Sequence, residues 1–343
     1  MSMQAPRTQQ QYQLQKTGDA PPALKLVDAA VRPPGDAEVL VRVHATSLNR
    51  RDIYVKLGRY PGPMHAQLVP LSDGAGEVVA VGAKVTRFRP GDRVASIFFQ
   101  QWLEGRPRPE HMATALGGAI DGMLSQYVTL SEQGLVAIPA GLSYEEAATL
   151  PCAGVTAWNA LVTRGRTQPG DFVLLLGTGG VSTFGLQLAL ALGAGPVITS
   201  SSDEKLARAR QLGAAVIVNY RSTPDWDKAV LEATGGVQQA LEVGGKQTLP
   251  KTLASLGFGA HVALIGGLSE FGGDIPSYSL MGRNATASGI YVGSRADFEA
   301  LNAFLGKHPV KPVIDKVFEF ENAPAAYDYM DSGALFGKVV IRL

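Results

Sequence analysis

Val173-Leu174-Leu175-Leu176-Gly177-Thr178-Gly179-Gly180-Val181-Ser182 decides how this chain reads. An apolar run without polar alternation is the pattern of a parallel strand buried on both faces. The glycines after it let the backbone turn tightly and approach a diphosphate at a helix N-terminus. Phe184, Leu188 and Leu192 then recur at helical spacing, and Gly193 supplies the stop. Val197-Ile198-Thr199 reads as a second strand, Asp203 to Leu212 as a second helix closed by Gly213, and Ala215 to Val218 as a third strand. Strand–helix–strand–helix–strand with short connections is half of a doubly wound parallel sheet of the Rossmann type. Ser182 fills the third small position of the fingerprint, where glycine is usual, and is small enough for close helix–strand packing.

The next signal lies about twenty residues beyond the turn, where an Asp or Glu would grip the ribose 2′-hydroxyl of NAD. The chain has Thr199-Ser200-Ser201-Ser202 there. A 2′-phosphate would meet hydroxyl donors at Ser200 and Ser201, with Lys205 in reach as a point charge. No carboxylate repels it at Ser200. The expected cofactor is NADPH.

A length of 343 residues is long for one core and suggests two domains. The formal net charge of +1, with Lys and Arg spread along the chain, predicts no nucleic-acid partner. Cys152 is the only cysteine, which excludes an internal disulfide and fits a reducing compartment. The stretch Gln4 to Gln15 is polar and glutamine-rich, without the apolar core of a signal peptide. No apolar run approaches the roughly 18 residues that span a bilayer. A soluble, cytoplasmic protein with no membrane partner is expected.

Outside the middle of the chain the texture changes. Val39 to Val43, Gly76 to Val81 and Arg93 to Phe98 are strand-like runs separated by turn clusters at Pro33-Pro34-Gly35-Asp36 and Arg89-Pro90-Gly91-Asp92. Such spacing suggests a small barrel or sandwich. The βα alternation holds from about Ala153 to Ile290, through Val237 to Val243, a helix near Gln247 to Leu256, His261 to Ile265 and Thr286 to Val292. A helix at Ala296 to Leu305 and runs at Phe318 to Phe320 and Gly337 to Leu343 then return to the texture of the first part.

Several blocks together resemble the medium-chain dehydrogenase/reductase superfamily. Ala45-Thr46-Ser47-Leu48-Asn49-Arg50-Arg51-Asp52 is similar to the segment carrying the first zinc ligand of its alcohol dehydrogenases. Asp73-Gly74-Ala75-Gly76-Glu77-Val78, Pro90-Gly91-Asp92-Arg93-Val94, Leu150 to Trp158 and Gly337-Lys338-Val339-Val340 resemble further blocks of that family. The resemblance implies an α/β protein: a doubly wound Rossmann sheet inserted into a GroES-like β-barrel catalytic domain, with a cleft between them. The expected boundaries are 1–153 and 291–343 for the catalytic domain and 154–290 for the nucleotide domain.

The departures from that pattern concern the metal. Where the family places a Cys, a His and another Cys around catalytic zinc, this chain has Asn49, Ser72 and Cys152, with Asp73 where the family has Glu. Phe98 to Gly122 contains no cysteine, so the family's second, structural zinc lobe is absent. The similarity is therefore to the zinc-free, quinone-oxidoreductase-like branch, with no metal, and Cys152 reads as a small buried apolar side chain. In that branch Asn49 and Tyr54 line the substrate and nicotinamide cleft, Tyr54 standing where zinc enzymes keep a proton-relay histidine.

The same resemblance implies the remaining cofactor contacts. Gly177, Thr178, Gly179, Gly180, Val181 and Ser182 would cradle the diphosphate, and Tyr220 would join Ser200, Ser201 and Lys205 at the 2′-phosphate. Thr156 would touch the nicotinamide edge. Val243, Gly244, Ile265, Gly266, Gly267, Gly289, Ile290 and Lys338 would complete the site.

Without a Lewis acid, a quinone or α,β-unsaturated carbonyl is the easier hydride acceptor, because charge delocalises to a distant oxygen. Asn49 or Tyr54 could stabilise that oxygen and pass on a proton. The expected activity is thus an NADPH-dependent oxidoreductase acting on a quinone, an enone, or an aldehyde or ketone. Two alternatives stay open, an alcohol dehydrogenase with or without metal and a catalytically idle NADPH-binding protein. The segment near Ala287 to Val292 suggests a homodimer built by edge-strand pairing. Phe98, Phe99 and Trp102 read as either core or a substrate lid, with the Gly- and Pro-rich surroundings favouring the lid. His44 is expected at the surface and Asp52 as a local anchor.

Overall fold

The computed structural model describes residues 6–343 apart from 17, 19, 61–64, 271 and 273. The chain forms two units, Met1–Ala153 with Gly293–Leu343, and Gly154–Val292.

The first unit opens with β1 (Thr8–Gln15) and β2 (Ala23–Ala30), paired antiparallel from Thr8 opposite Ala30 to Gln15 opposite Ala23. The glutamine-rich tract is thus a strand from Thr8 onward, while Gln4 lies outside the described residues. It forms because Tyr12 and Leu14 point to the core on either side of half-buried Gln13, while Gln10 faces out and Gln9 is buried. Next come β3 (Glu38–Leu48), β4 (Gln67–Leu68), β5 (Asp73–Val81), β6 (Arg93–Ser96), β7 (Tyr127–Ser131) and β8 (Leu135–Ala137). β4 joins β1 in the small sheet. Val39, Val41 and Val43 alternate along β3 and meet Val78, Val94 and Leu135 in one apolar core.

The second unit is a six-stranded parallel sheet. Its strands are β9 (Phe172–Leu176), β10 (Gly195–Ser200), β11 (Val216–Asn219), β12 (Val237–Glu242), β13 (Leu256–Leu264) and β14 (Thr286–Gly289). The order β11-β10-β9-β12-β13-β14 reverses direction at β9, as in a doubly wound fold. Val173, Leu174 and Leu175 are fully buried, as a strand covered on both faces requires. The helix Gly180–Ala191 follows β9, and Gly193 adopts a φ of 79°, conformational freedom that ends the helix. The helix Trp226–Thr234 has no counterpart in the sequence reading, although Gly235 caps it with a φ of 73°.

The chain then returns to the first unit through the helix Arg295–Leu305, β15 (Ile314–Glu319), the helix Ala323–Asp331 and β16 (Lys338–Arg342). β16 pairs antiparallel with β3, Val339 opposite Leu48, and completes a seven-stranded sheet. This register carries Lys338 to Asn49, at the start of the helix Arg50–Lys56. Among the described residues, no helix is long and apolar enough to cross a membrane.

Candidate functional site

The nucleotide-site candidates in the second unit gather at the carboxyl ends of the parallel strands, where such sheets bind ligands. Gly177 follows β9 with a φ of 71°, a left-handed conformation that favours glycine, and its N–H donates to Thr199 O at 2.9 Å. A Cβ placed on Gly177 or Gly179 would meet no atom within 4 Å, so the turn leaves open space beside its backbone. Gly180, Val181 and Ser182 form the first turn of the following helix, whose free N–H groups and dipole suit a phosphate. Ser182 is buried, and its hydroxyl donates to Leu176 O at 2.7 Å, tying the helix start to the strand end. Close packing falls instead to Gly185, where a Cβ would stand 2.6 Å from Leu175 Cδ2 and 3.1 Å from Leu241 Cδ2. The packing role expected at Ser182 thus sits three residues later.

Ser200 ends β10, buried, with its hydroxyl accepting from Ser202 N–H at 3.2 Å. Ser202 in turn caps the helix Asp203–Gln211, accepting from Lys205 N–H. Tyr220 lies beside this turn, exposed, its N–H donating to Ser200 O at 3.1 Å. Ser201 and Lys205 are half-buried on the same segment.

At the ends of β12 and β13, one buried carboxylate organises the backbone, and the sequence reading missed it. Glu242 Oε1 accepts from Gly244 N–H at 2.8 Å, Gly245 N–H at 2.9 Å and the Thr248 hydroxyl at 2.6 Å. Its Oε2 accepts from the Thr252 hydroxyl at 2.5 Å. Glu242 O accepts from Ile265 N–H, which brings Val243, Gly244, Ile265 and Gly266 together. Gly267 packs against the turn at Gly245. Gly289 ends β14, and Ile290 N–H donates to Leu264 O. Thr156 is buried in the helix Val155–Trp158 of the same unit. The signal for Glu242 was an acid at a strand end with Gly244-Gly245 one residue beyond it.

In the first unit the decisive group is a buried polar cluster. Lys338 is 2% exposed, and its ammonium donates to Asn49 Oδ1 at 2.6 Å and to Leu48 O at 2.7 Å. Asp73 Oδ2 lies 3.6 Å from the same nitrogen. The Ser72 hydroxyl donates to Asp73 Oδ1 at 2.6 Å, and Cys152 N–H donates to Asp73 Oδ2 at 3.3 Å. Leu71, just before Ser72, is buried with a φ of 70°, a strained setting that only surrounding structure can hold. Asp52, fully buried, accepts from Asn49 N–H at 2.7 Å and from Arg51 Nη1 at 3.3 Å. It is indeed a local anchor. Burial raises its pKa to about 6, against the lowering pull of Arg51. Tyr54 is half-buried on the helix that Asn49 begins, with the Arg50 guanidinium 5.5 Å from its ring centroid.

Three expectations are corrected here. Phe98, Phe99 and Trp102 are buried, Phe98 edge-on to Phe99, and belong to the core instead of a lid. His44 is half-buried and stacked on Tyr144 at 4.3 Å between centroids, because the aromatic face covers it. Cys152 is half-buried as a residue, while its thiol is deep enough for burial to act on it.

The donor set does not fit zinc. An ammonium already holds Asn49 Oδ1, and its positive charge would repel a dication at that position. Ser72 offers a neutral hydroxyl committed to Asp73. Burial, with Asp73 adding to it, pushes the Cys152 thiol up, away from the thiolate that zinc requires. Among the described residues no group of three or more His, Cys, Asp or Glu side chains could hold a metal ion.

Residues 35–140 match the family model for the alcohol dehydrogenase GroES-like domain, and residues 180–307 match that for zinc-binding dehydrogenases. The chain is 45% identical to a zinc-type alcohol dehydrogenase-like protein of Schizosaccharomyces pombe, over 89% of this chain and 91% of that one. A crystal structure provisionally described as an alcohol dehydrogenase from Sinorhizobium meliloti 1021 is 42% identical, with a TM-score of 0.93 over 99% of this chain and 100% of that one. The structure of an NAD-dependent alcohol dehydrogenase is 31% identical, with a TM-score of 0.87 over 97% and 99% of the two chains. This chain belongs to the medium-chain dehydrogenase/reductase superfamily, among its zinc-type alcohol dehydrogenase-like oxidoreductases. It is an NAD(P)-dependent enzyme of that kind.

Proposed function

We propose that this enzyme interconverts a small-molecule carbonyl and its alcohol with NADPH or NADP⁺, and that it does so without catalytic zinc. The observation carrying this reading is the Lys338 ammonium bonded to Asn49 Oδ1, a fixed monocation among the residues that correspond to the family's zinc ligands. The names of the relatives favour alcohol chemistry over the quinone and enone substrates first expected. When bound, the nicotinamide supplies or accepts a hydride.

The residues of the chain bind, orient and manage charge. The backbone from Gly177 to Ser182 would hold the diphosphate. Ser200, Ser201, Lys205 and Tyr220 would hold the 2′-phosphate, favouring NADP over NAD. Thr156, Val243, Gly244, Ile265, Gly266, Gly267, Gly289 and Ile290 would bound the nicotinamide side. Asn49 would donate a hydrogen bond to the substrate oxygen, and Tyr54 or water would exchange its proton. A cytoplasmic homodimer, with the edge strand β14 as the pairing surface, is part of the same proposal.

The test is a steady-state panel of alcohols, aldehydes, ketones, enones and quinones with both coenzymes, alongside metal analysis of chelator-treated protein. Turnover of a carbonyl–alcohol pair by metal-free enzyme supports the proposal. Tightly held stoichiometric zinc whose removal abolishes activity overturns the zinc-free part. Absence of any turnover, despite coenzyme binding, overturns the catalytic part.

A further inference from the structure

Asn49 presents an unusual imbalance. Its side chain is 8% exposed, and its amide nitrogen is buried with no hydrogen-bond partner among the described residues. Leaving such a donor unsatisfied costs about 1–3 kcal/mol, so native structures keep few of them. The orientation of the amide follows from the chemistry of its neighbour. An ammonium can only donate, so the atom 2.6 Å from Lys338 Nζ must be the oxygen. The nitrogen is therefore held on the other branch, with two hydrogens and no acceptor among the described residues.

Lys338 is itself fixed. It is 2% exposed, donates to Leu48 O at 2.7 Å, and faces Asp73 Oδ2 at 3.6 Å. Asp73 is in turn held by the Ser72 hydroxyl and Cys152 N–H. The backbone of Asn49 is pinned by Asp52 at 2.7 Å. Both ends of the residue are thus locked, and only the amide nitrogen awaits a partner. Donation by an ammonium to the amide oxygen also polarises the amide and makes its N–H groups stronger donors.

We infer that Lys338 is a positioning residue that locks the Asn49 amide, so that its nitrogen donates to the substrate's carbonyl oxygen. This rests on the carbonyl–alcohol reading above and assigns the source of oxyanion stabilisation within it. In the reductive direction the carbonyl carbon gains a hydride from the dihydronicotinamide coenzyme, and the C=O π pair moves to oxygen. The oxygen then takes a proton from water or Tyr54. The Asn49 N–H stabilises the oxygen while it carries the charge.

The test uses the full-length enzyme with Asn49→Asp, Asn49→Ala, Lys338→Met, Lys338→Arg and the Asn49→Ala/Lys338→Met double variant. Asn49→Asp keeps an oxygen for Lys338 but replaces the N–H donors with a second acceptor oxygen and a negative charge. It should lower kcat about 10²–10³-fold, the usual effect of losing one oxyanion donor. Binding of an unreactive primary carboxamide, measured by calorimetry without turnover, should weaken about ten-fold in the same variant. Lys338→Met should lower kcat similarly, and Lys338→Arg should restore much of it. In the double variant, loss of Lys338 should add little to the loss of Asn49, because one acts through the other. Thermal denaturation confirms that each variant is folded, and Asn49→Asp, which keeps an oxygen for Lys338, covers a failure of the alanine variant.

Unchanged kcat and carboxamide affinity in folded Asn49→Asp would overturn the assignment. So would fully multiplicative losses in the double variant, which would place Lys338 on another task. A wild-type enzyme with no carbonyl or alcohol turnover but normal carboxamide binding lost in Asn49→Asp would sink the proposed function and leave the donor assignment standing.

Discussion

Asp52 Oδ2 accepts the backbone N–H of Asn49 at 2.7 Å, inside a core that excludes water from the carboxylate. The bond holds the start of the helix Arg50–Lys56 and places Asn49 for Lys338. Burial has a consequence for pH. The pKa of Asp52 rises from 3.8 to about 6, so the folded state holds the proton more tightly than the unfolded chain. Stability from this group is greatest at low pH and falls as pH rises through the window from 3.8 to about 6. The shift corresponds to on the order of 3 kcal/mol. Asp52→Asn, which still accepts from Asn49 N–H, should gain stability relative to the parent across that window. Chemical denaturation of both proteins at several pH values checks this, and a pH-independent difference would count against it.

Coenzyme choice should turn on Ser200. Its hydroxyl lies at the end of β10, beside the Ser202 cap and the Tyr220 backbone. Ser200→Asp would place a carboxylate where a 2′-phosphate is expected and where a 2′-hydroxyl would be welcomed. The ratio of kcat/KM for NADPH to that for NADH should fall by about ten-fold or more, the loss of one or two charge-assisted contacts. An unchanged ratio would move phosphate recognition elsewhere.

Gly185 should tolerate no side chain. A Cβ there would press on Leu175, fully buried in β9, and on Leu241 of β12. Gly185→Ala should destabilise the protein by about 1–3 kcal/mol, as overpacking does in a dense core. Ser182→Gly should cost less, since it loses one hydrogen bond of about 1 kcal/mol. Urea midpoints for the pair measure the order; the reverse order would refute the packing argument.

The Glu242 carboxylate should matter for both stability and coenzyme binding. It receives two backbone and two hydroxyl donors at the turn that carries Val243 and Gly244. Glu242→Gln turns one acceptor into a donor facing these donors and should cost about 1–3 kcal/mol. Coenzyme affinity, followed by fluorescence titration, should weaken with it. A variant as stable as the parent would show that the turn does not depend on the charge.

Much of the second unit is written in local patterns. The run Val173 to Leu176 and the glycine with positive φ at Gly177 are each set within a few residues, by side-chain alternation and by backbone sterics. The place of Ser200 at the end of β10 was legible because the strand before it is marked by its apolar run. The first unit was less legible. β1 is mostly glutamine, and only its alternation of Tyr12 and Leu14 marks it as a strand. Phe98 and Trp102 sit beside a glycine- and proline-rich stretch, yet both side chains are buried, with the Arg51 guanidinium 4.8 Å from the Phe98 ring centroid, while Glu104 to Glu110 are exposed.

Sequence by itself determined the strand–helix alternation from Val173 to Val218, the glycine-rich turn that follows its first strand, and the presence of Asn49 and Ser72 where a zinc site would use Cys and His. These are properties of neighbours along the chain. Only the tertiary structure decided what replaced them. Lys338 and Asn49 are 289 residues apart, and no periodicity links them. They meet because β16 pairs antiparallel with β3 in a register that sets Val339 opposite Leu48, and a buried ammonium then needs the oxygens that this register supplies.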